Sequence, residues 1–250
     1  MKKIKYSISF IVAILLWWAF SAYKNHIAGA IVIPDPLTTF KALFKMIFSA
    51  SGFSVIWVTI VSIAKSLFFV FLIGIPLSIF LGYYSNAFLY VRRLFSFLGS
   101  IPPVILFPIF YYQVFNSEES LSRIICVCFG CIPILVTNIA DRISTKSKER
   151  IETAKLFGAS NFYILKNIVF YELLSNIFTA TKTALSFCII IVIATELVAQ
   201  GTGIGAKIIH LKNDYDYQNQ FALILVIGII GVSLNFILTK LEKRFIQWQD

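Results

Sequence analysis

Residues 176–199 read NIFTATKTALSFCIIIVIATELVA, and this stretch decides the class of fold. It is mostly apolar, with Lys182 near its start and Glu196 near its end. A helix of about 20 such residues crosses the roughly 30 Å of hydrocarbon in a bilayer. The whole chain is 58% hydrophobic and 14% charged, whereas soluble domains contain about 45–50% apolar and about 25% charged residues. The composition therefore predicts an all-α membrane protein and excludes soluble enzymes, secreted disulfide scaffolds and disordered tails.

Six stretches of this kind follow one another along the chain. We expect the spans near Tyr6–Ala22, Trp57–Tyr83, Leu94–Phe115, Leu121–Ile139, Asn176–Ala199 and Phe221–Thr239. The second and third spans contain helix breakers and are expected to lie inside a bundle, where neighbours meet the freed carbonyls. These breakers are Gly74, Pro76, Pro102, Pro103 and Pro108. The first stretch could also be a cleaved signal peptide, but its length and its bulky Trp17 and Trp18 favour an uncleaved helix.

Lysine and arginine are distributed unequally between the two sides of these spans. The side that holds both termini carries fourteen, and the other side, on which we count Arg123, carries six. Because basic residues favour the cytoplasm, we predict that both termini and the Arg142–Lys166 segment are cytoplasmic (N-in, C-in). This topology accounts for most of the formal charge of +10 without a nucleic-acid partner.

The chain shows no convincing cofactor motif. Cys126, Cys128 and Cys131 have no accompanying histidine and are interpreted as packing residues rather than metal ligands. Gly201–Lys207 lacks the lysine–hydroxyl pair of a phosphate loop, so a re-entrant or helix-capping turn is the better interpretation. His26 and His210 have no adjacent nucleophile. We therefore expect neither a metal, a nucleotide nor a catalytic site on this chain.

The segment between the fourth and fifth spans is the most informative. Residues 148–157 (KERIETAKLF) predict a helix with Ile151, Ala154, Leu156 and Phe157 on its apolar side. Gly158 ends that helix, because glycine tolerates the left-handed conformation found at helix ends. Ser160 is placed to cap a second helix over 161–170. Such a pair fits either the groove of another protein or the membrane surface.

The same segment resembles the EAA motif of membrane permeases from ATP-binding-cassette (ABC) importers. Glu152, Thr153 and Ala154 precede Gly158 at the motif's spacing, and Ile168 stands at its isoleucine. Other similarities occur in the family's order at Ile33–Pro36, Ser62–Lys65, Gly74–Leu77, Ile101–Pro108, Thr195–Leu197 and Gly201–Gly205. The chain is most similar to the nitrate, sulfonate and taurine type. It departs from the family's pattern at four positions. Tyr171 and Ser175 replace prolines, Ala180 replaces a glycine and Lys182 replaces an arginine.

This resemblance implies the type I ABC importer permease (MetI-like) fold, with one transmembrane domain over residues 1–250. The permease core is expected at about 53–240 and a cytoplasmic coupling loop at about 141–175. The resemblance implies a bacterial inner-membrane permease for a small, anionic solute. Its partners would be two copies of a separate ATPase that uses ATP and Mg²⁺, a second copy of this chain, and an extracytoplasmic substrate-binding protein. Glu152, Thr153, Ala154, Gly158 and Ile168 would contact the ATPase.

The candidate residues of the translocation path are Lys65, Pro102, Thr179, Lys182, Thr183 and Glu196. Hydroxyl residues recur on one face of the fifth span, a pattern typical of either a helix interface or a polar path. Lys65 and Lys182 could equally extend their side chains to the membrane surfaces, where their charges would be solvated, instead of lining a path. Glu196 needs a hydrogen-bond donor or could hold the Gly201–Gly205 turn. The rival interpretations are an ATP-independent secondary transporter and a membrane assembly scaffold.

Overall fold

The computed structural model describes residues 2–146, 148–164, 166, 167 and 170–246, and nearly all of them are helical. This confirms the all-α prediction. The helices are α1 (Lys2–Ala28), α2 (Pro36–Phe48), α3 (Ala50–Tyr83), α4 (Ser85–Ser100), α5 (Pro103–Pro108), α6 (Glu119–Lys146), α7 (Lys148–Leu156), α8 (Asn161–Ile164), α9 (Phe170–Ala199), α10 (Ile204–Asn213) and α11 (Tyr217–Phe245). A π-helical turn, Ile109–Val114, follows α5.

Four helices in the described part of the chain are long and apolar enough to cross a bilayer. They are Ala50–Tyr83, Glu119–Ile143, Leu174–Ala199 and Tyr217–Phe245, and they contain the predicted second, fourth, fifth and sixth spans. The predicted third span is a pair of helices bent by 82°, which forms either one broken span or a re-entrant loop. The first predicted span lies on α1, which is not among the four. The count of six and the N-in, C-in orientation therefore stay predictions.

Proline breaks one predicted span and leaves the other continuous. Helix α4 ends at Ser100 and α5 begins at Pro103, because proline fixes its own φ and supplies no backbone donor. At Pro76 the prediction of a broken helix is wrong, since α3 continues through this residue. A neighbouring helix covers α3 there: a Cβ on Gly74 would lie 2.7 Å from Cδ2 of Leu135.

Contacts between Cα atoms divide the chain into two compact units. The first comprises Met1–Thr59 with Gln200–Ile230, and the second, which we call the central unit, comprises Ile60–Ala199 with Gly231–Asp250. The prediction of a single transmembrane domain is not tested by this division.

In the first unit, side chains fix the connection between α1 and α2. The Asn25 amide oxygen accepts hydrogen bonds from the backbone N–H groups of Val32 and Ile33 at 2.9 and 3.1 Å. Asp35 caps α2 by accepting from the Thr38 N–H at 3.0 Å, and Pro36 occupies the first helical position. The Thr38 N–H lowers the pKa of the Asp35 carboxyl below its ordinary value.

The glycine-rich segment of the first unit begins a helix. Gly203 has a φ of +100° and precedes the first residue of α10. The N–H of Ile204, which would otherwise be unsatisfied at the helix start, donates to the Thr59 hydroxyl at 2.8 Å. The prediction of a helix-capping turn within Gly201–Lys207 is therefore confirmed.

In the central unit, α6 packs against α9, α4 and α5. Leu81, Phe88, Val136 and Ala140 form a buried cluster that joins the end of α3, the start of α4 and the middle of α6. Gly130 lets α5 and α9 approach α6 closely. A Cβ at this position would lie 2.5 Å from Cγ of Pro103 and 2.7 Å from Cδ1 of Ile191.

Substituting Gly130 by alanine tests this close approach. We expect Gly130→Ala to destabilise the protein by about 1–3 kcal/mol, because a methyl group overpacks the contact. Gly228→Ala is the matched control, since a methyl group added there, within α11, would meet no atom within 4 Å, and alanine favours a helix. Thermal unfolding in detergent can be followed with a thiol-reactive dye, because Cys126, Cys131 and Cys188 are buried in the folded state. Equal melting temperatures for the two variants would contradict the packing.

Candidate functional site

The predicted coupling segment forms a helix–turn–helix, which we call the α7–α8 loop (Lys148–Ile164). Gly158 has a φ of +78°, as expected for a residue that ends a helix in the left-handed conformation. The Ala159 N–H donates to the Ala154 carbonyl and the Gly158 N–H to the Lys155 carbonyl, both at 3.0 Å. These two bonds constitute a Schellman motif. The predicted helix end at Gly158 is confirmed.

Ser160 begins α8, as predicted. Its hydroxyl accepts from the Tyr163 N–H at 3.2 Å, and its carbonyl accepts from the Ile164 N–H at 3.0 Å. The predicted length of this helix is wrong, because α8 ends at Ile164 and residues 166 and 167 lie in a π-helical conformation. Ile168, the last residue of the predicted motif, lies outside the described residues.

The apolar residues of the α7–α8 loop differ in burial. Ile151 is buried, whereas Leu156 and Phe157 are 87% and 86% exposed. The Schellman turn begins at these residues, so they do not share the packed side of α7 with Ile151. On the other side of the turn Phe162 is 75% exposed. The turn therefore carries apolar and aromatic side chains that this chain leaves uncovered.

The motif residues themselves are accessible. Glu152 and Thr153 are exposed and Ala154 is half-buried. The Thr153 hydroxyl donates to the Glu149 carbonyl at 2.8 Å. Thr153 and Ala154 also line an open cleft of about 430 Å³ together with Glu149 and Arg150. A partner can thus reach the motif without unfolding α7.

A buried ion cluster, which the sequence did not reveal, joins three helices of the central unit. Arg123 is 3% exposed, so it is not one of the solvated basic residues outside the spans, with which the sequence grouped it. Its guanidinium is paired with Glu119 and donates to the Ser62 hydroxyl at 2.8 Å. Glu196 is fully buried, with Oε1 3.9 Å from Nη1 of Arg123. The cationic neighbour of Glu196 inside the span is therefore an arginine on α6.

The other predicted path residues occupy different surroundings. Lys182 on α9 forms an ion pair with Glu242 on α11, with 2.5 Å between Nζ and Oε2. Lys65 is exposed on α3, and Pro102 lies at the bend between α4 and α5. The Thr179 and Thr183 hydroxyls donate to carbonyls four residues earlier on α9, at 3.1 and 3.3 Å. The structure does not bring these residues together around one cavity in its described part.

The cysteines lie within the packed helices of the central unit. Cys126, Cys131 and Cys188 are buried, and all four cysteines are free thiols. The Cys126 thiol donates to the Pro103 carbonyl at 2.8 Å. Across the described residues, no group of three His, Cys, Asp or Glu side chains could hold a metal ion.

Comparison with known proteins identifies the family. The family model of the binding-protein-dependent transport system inner membrane component matches residues 74–247, which is more than half of the chain. The chain belongs to this family. The permease is a multi-pass component of the inner membrane and not itself an enzyme. It works with a separate ATPase and a substrate-binding protein.

Relatives match the permease over nearly its whole length. A probable ABC transporter permease of Brucella abortus is 22% identical and covers 97% of this chain and 94% of its own. A putative aliphatic sulfonates transport permease of Bacillus subtilis is 20% identical (90% and 80% covered). A bicarbonate transport system permease of Synechococcus elongatus is 24% identical (94% and 84% covered).

The fold is that of a known importer. A chain of the MetNI methionine ABC transporter, solved in inward-facing conformations, matches with a TM-score of 0.62 and 21% identity. The match covers 80% of the permease and 98% of that chain. This agrees with the predicted type I importer permease fold.

Removing the charge of Arg123 tests the ion cluster. We expect Arg123→Met to destabilise the permease by about 3–5 kcal/mol, because it leaves the buried Glu196 without its guanidinium neighbour. Adding Glu196→Gln should recover part of this loss. Arg92→Met is the control: its pair with Asp141 at 3.2 Å is 52% and 37% exposed, and exposed pairs contribute about 0–1 kcal/mol. Thermal unfolding in detergent measures all three variants, and similar values for Arg123→Met and Arg92→Met would contradict the prediction.

Proposed function

We propose that the permease imports a small anion as one of two identical subunits, each contacting one ATPase subunit through its α7–α8 loop. An extracytoplasmic binding protein delivers the anion. The permease binds no cofactor, and ATP with Mg²⁺ is bound and hydrolysed by the ATPase. The exposed apolar turn of the α7–α8 loop is the observation that carries this proposal.

The chemistry of this turn suits a protein partner. Leu156, Phe157 and Phe162 are all largely exposed, and a group of exposed apolar side chains marks an interaction surface. Aromatic side chains flanked by accessible charges, here Glu152 and Lys155, are typical of the anchor residues of interfaces. The Schellman motif holds these side chains on a defined backbone, which lowers the entropy lost on docking. The membrane surface is the alternative occupant.

Nucleotide would drive transport by favouring one arrangement of the ATPase pair. Because the α7–α8 loops would dock on the ATPases, closure of the ATPases would bring the loops together. The spanning helices would then change from an inward-facing to an outward-facing arrangement. Such coupling requires that nucleotide binds the two states with different affinities.

An uncovered face of α9 supports the second copy of the chain. Thr179, Ser186, Phe187 and Ile190 are exposed on this helix. Small and hydroxyl residues allow close approach of helices within a membrane. The Thr179 and Ser186 hydroxyls donate to carbonyls within their own helix. Both hydroxyl groups would therefore keep a hydrogen bond when a second helix packs against them. We place the contact between the two permeases on this face.

The relatives and the basic residues support an anionic substrate. Two of the relatives are named for sulfonates and for bicarbonate, which are both anions. Of the predicted path residues, Lys65 is exposed and forms no ion pair with the described residues, whereas Glu242 balances the charge of Lys182. Glu196 lies beside Arg123 and would repel an anion. Lys65 is therefore the cation that we expect an anion to meet.

Replacing Phe157 tests the docking surface. We expect Phe157→Asp and Gly158→Val to insert into the membrane normally but to lose most of the co-purifying ATPase, because one adds a charge to the interface and the other cannot adopt a φ of +78° without strain. Tyr215→Asp, which changes a 77% exposed aromatic residue outside the loop, should retain the ATPase. The measurement is the ATPase-to-permease ratio after affinity purification in mild detergent. Retention of the ATPase by Phe157→Asp would support the membrane-surface alternative.

Replacing Lys65 tests the substrate class. In proteoliposomes that contain the ATPase and the binding protein, we expect Lys65→Gln to reduce uptake of a labelled sulfonate about tenfold, because an anion loses one close cation. Lys65→Arg, which keeps the charge, should stay within about twofold. A labelled neutral amino acid is the comparison solute. Equal loss for both solutes would count against charge selection, and uptake without the ATPase would indicate a secondary transporter.

A further inference from the structure

Tyr83, the last residue of α3, contacts the α7–α8 loop. Its hydroxyl donates a hydrogen bond to the Oδ1 atom of Asn161 at 2.6 Å. Asn161 is the first residue of α8 and lies 78 positions further along the chain. This bond therefore connects the end of a membrane-spanning helix with the segment that follows the Gly158 turn.

The ring of Tyr83 contacts the other half of the loop as well. Nζ of Lys155, in the last turn of α7, lies 5.0 Å from the centroid of this ring. A cation over an aromatic face at this distance is attracted by the ring quadrupole. One side chain of α3 thus holds both helices of the loop, on either side of the bend at Gly158.

The end of α3 that carries Tyr83 is itself fixed. A Cβ on Gly82 would lie 2.6 Å from Cδ1 of Ile143 and 3.0 Å from Cα of Ala140. Such contacts leave little room for α3 to slide along α6. The preceding Leu81 belongs to the buried cluster with Phe88 and Val136. A displacement of Tyr83 would therefore move α3 together with the helices packed against it.

We infer that Tyr83 is a positioning residue for energy coupling, which joins the α7–α8 loop to α3 so that displacement of the loop moves this span. The inference rests on the proposed docking of the loop on the ATPase. The chain itself connects the loop to α6 and to α9, and the loop also carries the buried side chains of Ile151 and Ile164. Tyr83 adds a connection to α3, made of one directional hydrogen bond and one cation–π contact.

Paired tyrosine variants test this role. We expect Tyr83→Leu to retain the ATPase but to transport about fivefold less substrate per ATP hydrolysed, since it removes both contacts. Tyr83→Phe, which keeps the ring, should lower this ratio about twofold. Tyr84→Phe is the control, because the described residues offer its hydroxyl no hydrogen bond. Asn161→Asp, which keeps an acceptor, should stay near the parent value, whereas Asn161→Leu should match Tyr83→Phe.

A cross-link provides a second test, because an unfolded variant could not regain coupling when the two residues are joined. The double variant Tyr83→Cys with Asn161→Cys should couple poorly until a short bis-maleimide joins the two thiols, which should then restore the ratio of substrate to ATP. Each single-cysteine variant treated with the same reagent is the control. Restoration is expected because the two residues move together.

The outcomes separate this inference from the proposed function. An unchanged transport ratio in Tyr83→Leu, or a cross-link that blocks transport, would overturn the inference and leave the docking of the loop intact. Loss of the ATPase from Tyr83→Leu would also overturn it, because Tyr83 would then belong to the docking surface. The docking proposal fails only if Phe157→Asp retains the ATPase.

Discussion

The absence of water from bilayer hydrocarbon constrains every part of this permease. Each backbone group within the spans must find its partner inside the protein, and a charge there needs either such a partner or access to the membrane surface. Helices satisfy the backbone, which is why nearly every described residue is helical. Charges follow the same rule. Arg123 lies between carboxylates from its own helix and from α9, and Lys182 lies beside Glu242. Charge pairing therefore joins α6 to α9 and α9 to α11.

Local chemistry makes much of the fold and part of the site predictable. The spans follow from the length of apolar stretches, and the turn at Gly158 follows from the preference of glycine for positive φ. Ser160 is predicted as a cap from its position alone, and the structure bears this out. Each of these rules needs only a few neighbouring residues. At Pro76 the local rule is wrong, because α6 supports α3 at a distance in sequence that local patterns do not capture.

Contacts between distant residues are not predictable in this way. No pattern in the sequence joins Ser62 to Arg123 or Tyr83 to Asn161, because tertiary packing alone makes each pair adjacent. Arg123 gives one usable signal, a charged residue only a few positions inside a predicted span. The different burial of Ile151 and of Leu156 and Phe157 is not predictable in this way either, because helical periodicity defines one face only while the helix lasts, and α7 ends at Leu156.

Ser62, within α3, and Tyr83, at its end, have contacts of very different strength. Ser62 bonds to the buried Arg123, whereas Tyr83 bonds to the accessible α7–α8 loop. The 21 positions between Ser62 and Tyr83 correspond to about 30 Å of helix, which is roughly the thickness of the hydrocarbon layer. Breaking the hydrogen bond between Ser62 and the charged Arg123 costs about 1.5–3 kcal/mol, but breaking the hydrogen bond at Tyr83 costs about 1 kcal/mol. In the proposed mechanism the contact at Ser62 would therefore hold the spans together while the weaker contact at Tyr83 passes the displacement of the loop to α3. Loss of the contact at Tyr83 would therefore affect coupling and leave the packing of the spans intact.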